Sequence, residues 1–489
     1  MTPDAASSAQ VRRSSEIRRQ LGHPVVDGDG HVLELMPVFR DFVRDHGRGD
    51  LLDGMLQRGR AIEDLSMDDR RAGGVLPHSW HAPAVTDYYA TVTSPKRYHD
   101  RLPETGIDFA VLYPSMGISL LQLPDDEQRV TLCRLYNELA AEQYRPHADR
   151  FTMAALVPMH TPAEAIAALD HAKALGAKVA LIASHVHRPY DGSWPADDLW
   201  SDVRVAEWET RGWVDTFGID SAHDYDPVWQ HAIDLGLPLS AHTAGIGASD
   251  RASISNFVFN QVGHFAASGG ALAKALFLGG VTARFPRLRL ALLEGGAAIG
   301  TQILVSLAGA WEKRGGDAIV GLDPNQLDPE RVRQLLVDAD PTLARYDATE
   351  LCRASGGMTR ALDDFAAAKI TSVDDIVSQF CTCFHWGCEA DDPMVGVAYD
   401  RRVTPRGALV PAFFASDLGH WDVPRFDEPL EEAFELVERG ILDFDELRSF
   451  VFENPVRFYG SLNPDFFAGT AIEAEAAALL GSTSSAPHE

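Results

Sequence analysis

The stretch Val25-Val26-Asp27-Gly28-Asp29-Gly30-His31 joins a short apolar run to alternating carboxylates and glycines and a terminal imidazole. A strand repeats its side-chain direction every two residues, so Asp27, Asp29 and His31 share one face and can converge on a cation. Three later apolar runs end in the same kinds of donor: Pro238-Leu239-Ser240-Ala241-His242, Leu290-Ala291-Leu292-Leu293-Glu294 and Phe413-Phe414-Ala415-Ser416-Asp417. Asp29, His31, His242 and Asp417 make a mixed nitrogen and oxygen ligand set suited to a divalent metal ion, Zn²⁺ first and Mn²⁺ or Fe²⁺ as alternatives. A cation with an open position activates water or polarises a substrate oxygen, which is catalytic rather than structural chemistry. Asp27 reads as a supporting or turn residue.

Donors spread over such distant segments need a scaffold that gathers strand ends, as the C-terminal face of a parallel barrel does. Strand-like runs at residues 24–29, 107–114, 151–158, 177–184, 237–243, 288–294, about 378–384 and 412–417 number eight, the count that a closed (β/α)₈ TIM barrel requires. Helical patterns separate them: Thr161-Pro162 and Asp226-Pro227 each place proline at a helix start, and Gly236 ends a helix just before the strand that carries His242. The expected layout is a flexible arm at residues 1–22, a barrel at 23–468 and a tail at 469–489 that begins as a short helix. Two stretches exceed barrel needs: about 35–98, expected to wall the site, and the helical segment about 309–377, expected to cover the site or mediate assembly.

Composition narrows the function. The 71 acidic against 43 basic residues of this 489-residue chain give a formal charge of −28, which repels phosphate backbones and argues against a nucleic-acid partner. No apolar run approaches a membrane span, and Arg12, Arg13, Arg18 and Arg19 precede no signal-type segment, so a cytoplasmic protein is expected. The five cysteines read as buried small side chains; Cys381, Cys383 and Cys388 alone make a weak zinc motif. Aromatic residues in the loops, Trp80, His81, Tyr88, Tyr89, Phe257, Phe259, Trp386 and Trp421 among them, suit an aromatic or cyclic small-molecule substrate.

Other polar residues belong to the same face. His264, in the Gly-rich stretch after the fifth strand, enters the site as a catalytic group or is simply buried. Glu389, with His385, Asp391 and Asp392, is a candidate extra ligand or proton relay, and His420 is a further candidate near Asp417. His187 of His185-Val186-His187 fits a substrate contact at the rim rather than a ligand.

The motifs Asp27-x-Asp29-x-His31-x-x-Glu34, Thr105-Gly106-Ile107-Asp108 leading to Tyr113-Pro114, Tyr225-Asp226-Pro227-x-Trp229, His242, Arg284-Phe285-Pro286-x-Leu288-Arg289, Glu294-Gly295-Gly296 and Ser416-Asp417-x-x-His420-Trp421-Asp422 follow in order. In that order they resemble the amidohydrolase-related family, whose members include metal-dependent hydrolases and the aminocarboxymuconate-semialdehyde and resorcylate types of decarboxylase. The resemblance spans about residues 24 to 460 and places the family's ligands on Asp29, His31, His242 and Asp417. Aspartate as the first ligand makes the site more anionic than in many relatives. Glu294 stands where the decarboxylase-like members have histidine, and as a carboxylate it is a further ligand or a general base for the bound water. The expectation is therefore a hydrolase that uses metal-activated water, with Glu294 moving the proton. A non-oxidative decarboxylase, an iron-dependent oxygenase and a catalytically silent subunit of a complex remain alternatives, as does assembly into a homo-oligomer or with a related subunit.

Overall fold

In a computed structural model of the chain, the described residues are 4–52, 66–73, 83–189, 212–242, 253–323, 326–352 and 362–483. The barrel strands are β1 (Val26–Val32), β2 (Phe109–Pro114), β3 (Phe151–Met153 continued by Ala155–Leu156), β4 (Ala180–Ala183), β5 (Leu239–His242), β6 (Leu290–Leu292), β7 (Phe384–Glu389) and β8 (Ala412–Ala415). Their residues are almost uniformly buried, as strands covered on both faces must be. Every pairing among them is parallel, in the order β1-β2-β3 and then β3-β4-β5-β6-β7-β8. At Ala154 the pairing of β3 passes from one neighbour to the other: its amide bonds to Leu112 in β2, and the next amide, of Ala155, bonds to Val179 before β4.

Between β8 and β1 no strand ladder forms among the described residues, and side chains close the ring instead. The Asp27 carboxylate accepts the Ser416 amide at 3.0 Å and the Ser416 hydroxyl, while the Tyr459 hydroxyl donates to the Gly28 carbonyl at 2.6 Å. Asp27 thus supports the barrel rather than joining the donor cluster. Both glycines of the opening motif are needed for close approach: a Cβ at Gly28 would lie 2.6 Å from the Phe413 ring, and one at Gly30 would lie 2.5 Å from the Asp27 carboxylate.

Helices Asp126–Tyr144, Pro162–Ala174, Asp226–Leu235, His264–Leu278 and Ala297–Arg314 follow successive strands β2 to β6. Thr161 caps the second and Gly236 ends the third in the left-handed conformation, as their positions predict. The long segment after β1 contributes helices Met36–Asp45, Thr86–Val92 and Pro95–Arg101, and buried Tyr88 accepts the Gly419 amide with its hydroxyl at 3.0 Å, tying this wall to the loop after β8. Trp80 and His81 lie outside the described residues.

Two expectations need correction. The seventh strand is Phe384–Glu389, because residues expected as strand at 378–384 belong mostly to helix Val373–Cys383, started by a reciprocal cap between Ser372 and Asp375. The segment expected as a flexible arm contains helix Asp4–Leu21, which packs on the barrel: Ile17 is buried, Ser14 donates to the Asp427 carbonyl, and Arg13 and Arg18 pair with Glu431 and Asp108. The chain's other end forms helix Glu473–Thr483, with Ile472 and Ala476 buried. No helix among the described residues is long and apolar enough to cross a membrane.

Candidate metal centre

Asp29 and His31 on β1, His242 ending β5, Glu294 just after β6, and Asp417 and His420 just after β8 meet at the C-terminal ends of their strands. The side chains of Asp29, His31, His242, Glu294, Asp417 and His420 are each at most 4% exposed. His31 Nε2 lies 3.0 Å from Glu294 Oε1, 3.5 Å from Asp417 Oδ1 and 3.7 Å from Asp29 Oδ1, and His242 Nε2 is 2.9 Å from the same Glu294 oxygen. Glu294 and Asp417 have φ of 50° and 47°, a left-handed conformation that side-chain-bearing residues rarely adopt, and here it follows two barrel strands at the site.

Electrostatics set five of these groups apart. Burial pushes the Asp29 carboxyl well up from the usual carboxylate range, helped by the charges of Glu294 and Asp27; burial does the same to Asp417, reinforced by Glu294, Glu389 and Asp422. Glu294 goes the opposite way: burial raises it, but His242 and His31 together outweigh burial and hold it ionised. Burial lowers both His31 and His420, so these imidazoles favour the neutral, ligating form.

A cation fits this cluster. Asp29 is fully buried, yet neither of its carboxylate oxygens accepts a side-chain hydrogen bond. Buried carboxylate oxygens in that condition are costly unless something positive meets them. The donor atoms of Asp29, His31 and His242 lie within 4.8 Å of one another, as do those of His31, Glu294, Asp417 and His420.

The sequence matches the family described as amidohydrolase over residues 27–337. The chain belongs to the amidohydrolase family. No curated protein matches the chain closely enough to name as a relative. Similar solved structures include an amidohydrolase from Mycobacterium avium subsp. paratuberculosis K-10, 16% identical with a TM-score of 0.44, covering 76% of this chain and 74% of that one. A 2,6-dihydroxybenzoate decarboxylase complexed with 2,6-dihydroxybenzoate is 14% identical, with a TM-score of 0.47, covering 89% of this chain and 99% of that one. A dihydroxybenzoic acid decarboxylase from Polaromonas sp. JS666, with bound manganese and 2-nitroresorcinol, is 13% identical at a TM-score of 0.47, covering 91% and 99%.

The other residues singled out in the sequence differ in their surroundings. His264 is buried at the start of its helix, its ring 5.3 Å from Phe265, which in turn meets the His242 ring edge-on at 5.1 Å. His187 is exposed on strand Val186–Pro189, which pairs antiparallel with Gly212–Asp215 at the rim. Glu389 ends β7; burial raises its carboxyl well above its usual range, with Glu294 the next cause. Trp386 is fully buried in β7, where a Cβ on Gly300 would lie 2.4 Å from its ring, so it is core and not pocket wall. Trp421 is 39% exposed and meets Phe257 edge-on at 5.8 Å.

His385 is also core, tilted against Phe458 at 4.9 Å, and burial followed by Arg289 pushes it down to about 3. An unfolded histidine takes up its proton near pH 6.5, so stability present above that pH falls as the pH drops towards 3, at up to about 1.4 kcal/mol per unit. His385→Phe should flatten the decline in melting temperature between pH 6.5 and 4; a slope equal to that of the parent would rule out this contribution.

Sequence reading did not single out Ser115 or assign Glu34 a role. The Glu34 carboxylate accepts the Met116 and Gly117 amides at 2.9 and 2.8 Å and the Tyr136 hydroxyl at 2.9 Å, holding the turn after β2 against the end of β1. Its place three residues beyond His31 was the available signal.

Proposed function

We propose that this chain is a metal-dependent enzyme acting on a small carboxylated organic substrate, by decarboxylation ahead of hydrolysis. The observation that carries the reading is the buried cluster itself, six donor side chains at four strand ends with no side chain hydrogen-bonded to the Asp29 carboxylate. Asp29, His31, His242 and Asp417 would hold the cation. When bound, it would draw electron density from a substrate carboxylate or neighbouring oxygen and stabilise the negative charge that develops. The mixed oxygen and nitrogen set suits Mn²⁺ or Fe²⁺ at least as well as Zn²⁺, so the zinc expectation has no specific support.

Decarboxylation, the reaction named for two of the similar structures, needs a proton at the carbon that loses CO₂. Glu389, outside the four residues that would hold the cation, is a carboxyl that burial raises while Glu294 is lowered, and two carboxyl groups pushed apart in this way would divide the acid and base roles. The electron pair of the broken C–C bond takes that proton, and no water enters the balance. One observation favours hydrolysis as the second reading: an ionised Glu294 is also a base for water.

The two reactions separate in ¹⁸O-labelled water with a panel of phenolic and cyclic carboxylic acids. Stoichiometric CO₂ release, with no label in the organic product, is the expected result. Label incorporated into a carboxyl or hydroxyl product without CO₂ would overturn decarboxylation and leave hydrolysis.

A further inference from the structure

Asp417 is an anionic donor in an unfavourable backbone conformation, and such a conformation persists only where its surroundings over-determine it. Its carboxylate Oδ1 lies 2.5 Å from His420 Nδ1. The other nitrogen of that ring, Nε2, shares a hydrogen bond of 2.8 Å with the Ser115 hydroxyl. The His420 ring also lies on that of His31, with centroids 4.1 Å apart and planes inclined at 36°. One imidazole therefore touches two donors of the cluster and is held from behind by one hydroxyl.

Ser115 is itself fixed. It follows β2 directly, its amide bonds to the Val32 carbonyl at 3.3 Å, and the next two amides are bound by Glu34. The chain Ser115–His420–Asp417 thus links the ends of β1, β2 and β8 across the donor face. Outer side chains that hold a ligand in place in this way orient it, and removing such a partner typically weakens metal binding 10- to 100-fold.

We propose that Ser115 and His420 are positioning residues of the metal centre, Ser115 fixing the His420 ring so that it sets the Asp417 carboxylate and braces His31. This rests on the metal-centre reading above. Neither residue needs to touch substrate. Their effect is on the geometry and affinity of the site for its cation.

Mn²⁺ titration of the apo-protein, read by loss of the free-ion electron paramagnetic resonance signal, tests it without an assay of activity. Ser115→Ala and His420→Asn are expected to weaken Mn²⁺ binding about 10- to 100-fold and to change the bound-ion spectrum. Ser115→Thr keeps the hydroxyl and is expected to restore both, and the melting temperature of the apo-protein should not move with Ser115→Ala. Parent-like affinity in both first variants, or a Ser115→Ala loss that follows the apo melting temperature and is not rescued by threonine, would overturn the positioning role. A parent protein that binds Mn²⁺ no better than an Asp29→Asn/Asp417→Asn double variant would overturn the metal-centre reading, and this inference with it.

Discussion

Glu294→Gln is expected to lower turnover by about two to four orders of magnitude while leaving the metal content of the protein near that of the parent. The substitution keeps the size of the side chain and one oxygen acceptor but removes the charge. That charge is present because His242 and His31 lie 2.9 and 3.0 Å from Oε1 and outweigh the cost of burial. A neutral amide cannot take up a proton, whether the proton comes from a substrate hydroxyl or from water, so the loss falls on kcat in either reaction. Metal analysis on the same preparation divides the roles. If the cation leaves with the charge, Glu294 is a ligand and its proton-moving role is wrong; if turnover survives, it has neither role. Asp29→Asn is the companion variant, expected to lose metal first, since the buried Asp29 carboxylate has no hydrogen-bonded side chain to compensate it.

The positions of the four expected ligands were legible because a strand's two-residue period and its apolar run are both local signals. Asp29 and His31 share a face of β1 by spacing alone, and His242 ends β5 as an unbroken apolar run predicts. What the period does not reveal is the backbone reversal after β6 and β8, where Glu294 and Asp417 take positive φ and turn back onto the histidines. Reading Glu294 as a group near the metal needed only the strand end; finding it against both His31 and His242 needed three dimensions.

The misplaced seventh strand has a different cause. Residues 378–384 are rich in cysteine and phenylalanine, which fits a buried strand as well as the last turn of a buried helix. The reciprocal cap at Ser372 and Asp375, six residues upstream of that run, decides for helix. The N-terminal helix was missed because its contacts are few and distant: one buried isoleucine and arginines that find acids elsewhere, Glu431 among them, 418 residues away. Ser115 was hidden in the same way, since its partner His420 is 305 residues further on and no local pattern connects them.

Arg129→Met is expected to destabilise the fold by about 3–5 kcal/mol, the largest stability effect of any single substitution considered. The Arg129 side chain is fully buried on the first turn of helix Asp126–Tyr144, where it donates Nε and Nη2 to the two oxygens of Glu164 at 2.7 and 3.0 Å, and Nη1 to the Leu123 carbonyl at 2.7 Å. Glu164 sits on the first turn of the next helix, Pro162–Ala174, and is 8% exposed in its side chain. The guanidinium therefore clasps the starts of two successive barrel helices, and a planar fork matched to a carboxylate has no substitute in lysine. Methionine fills the space but leaves the Glu164 carboxylate buried with no cation and the Leu123 carbonyl without its donor, and these uncompensated groups dominate the loss. Arg129→Met/Glu164→Gln should recover part of it, because the second change removes the stranded charge. Urea denaturation of the parent and the two variants measures both steps. A loss below about 1 kcal/mol for Arg129→Met, the range of an exposed ion pair, would show that water reaches Glu164 and that the pair is not the clasp its burial implies.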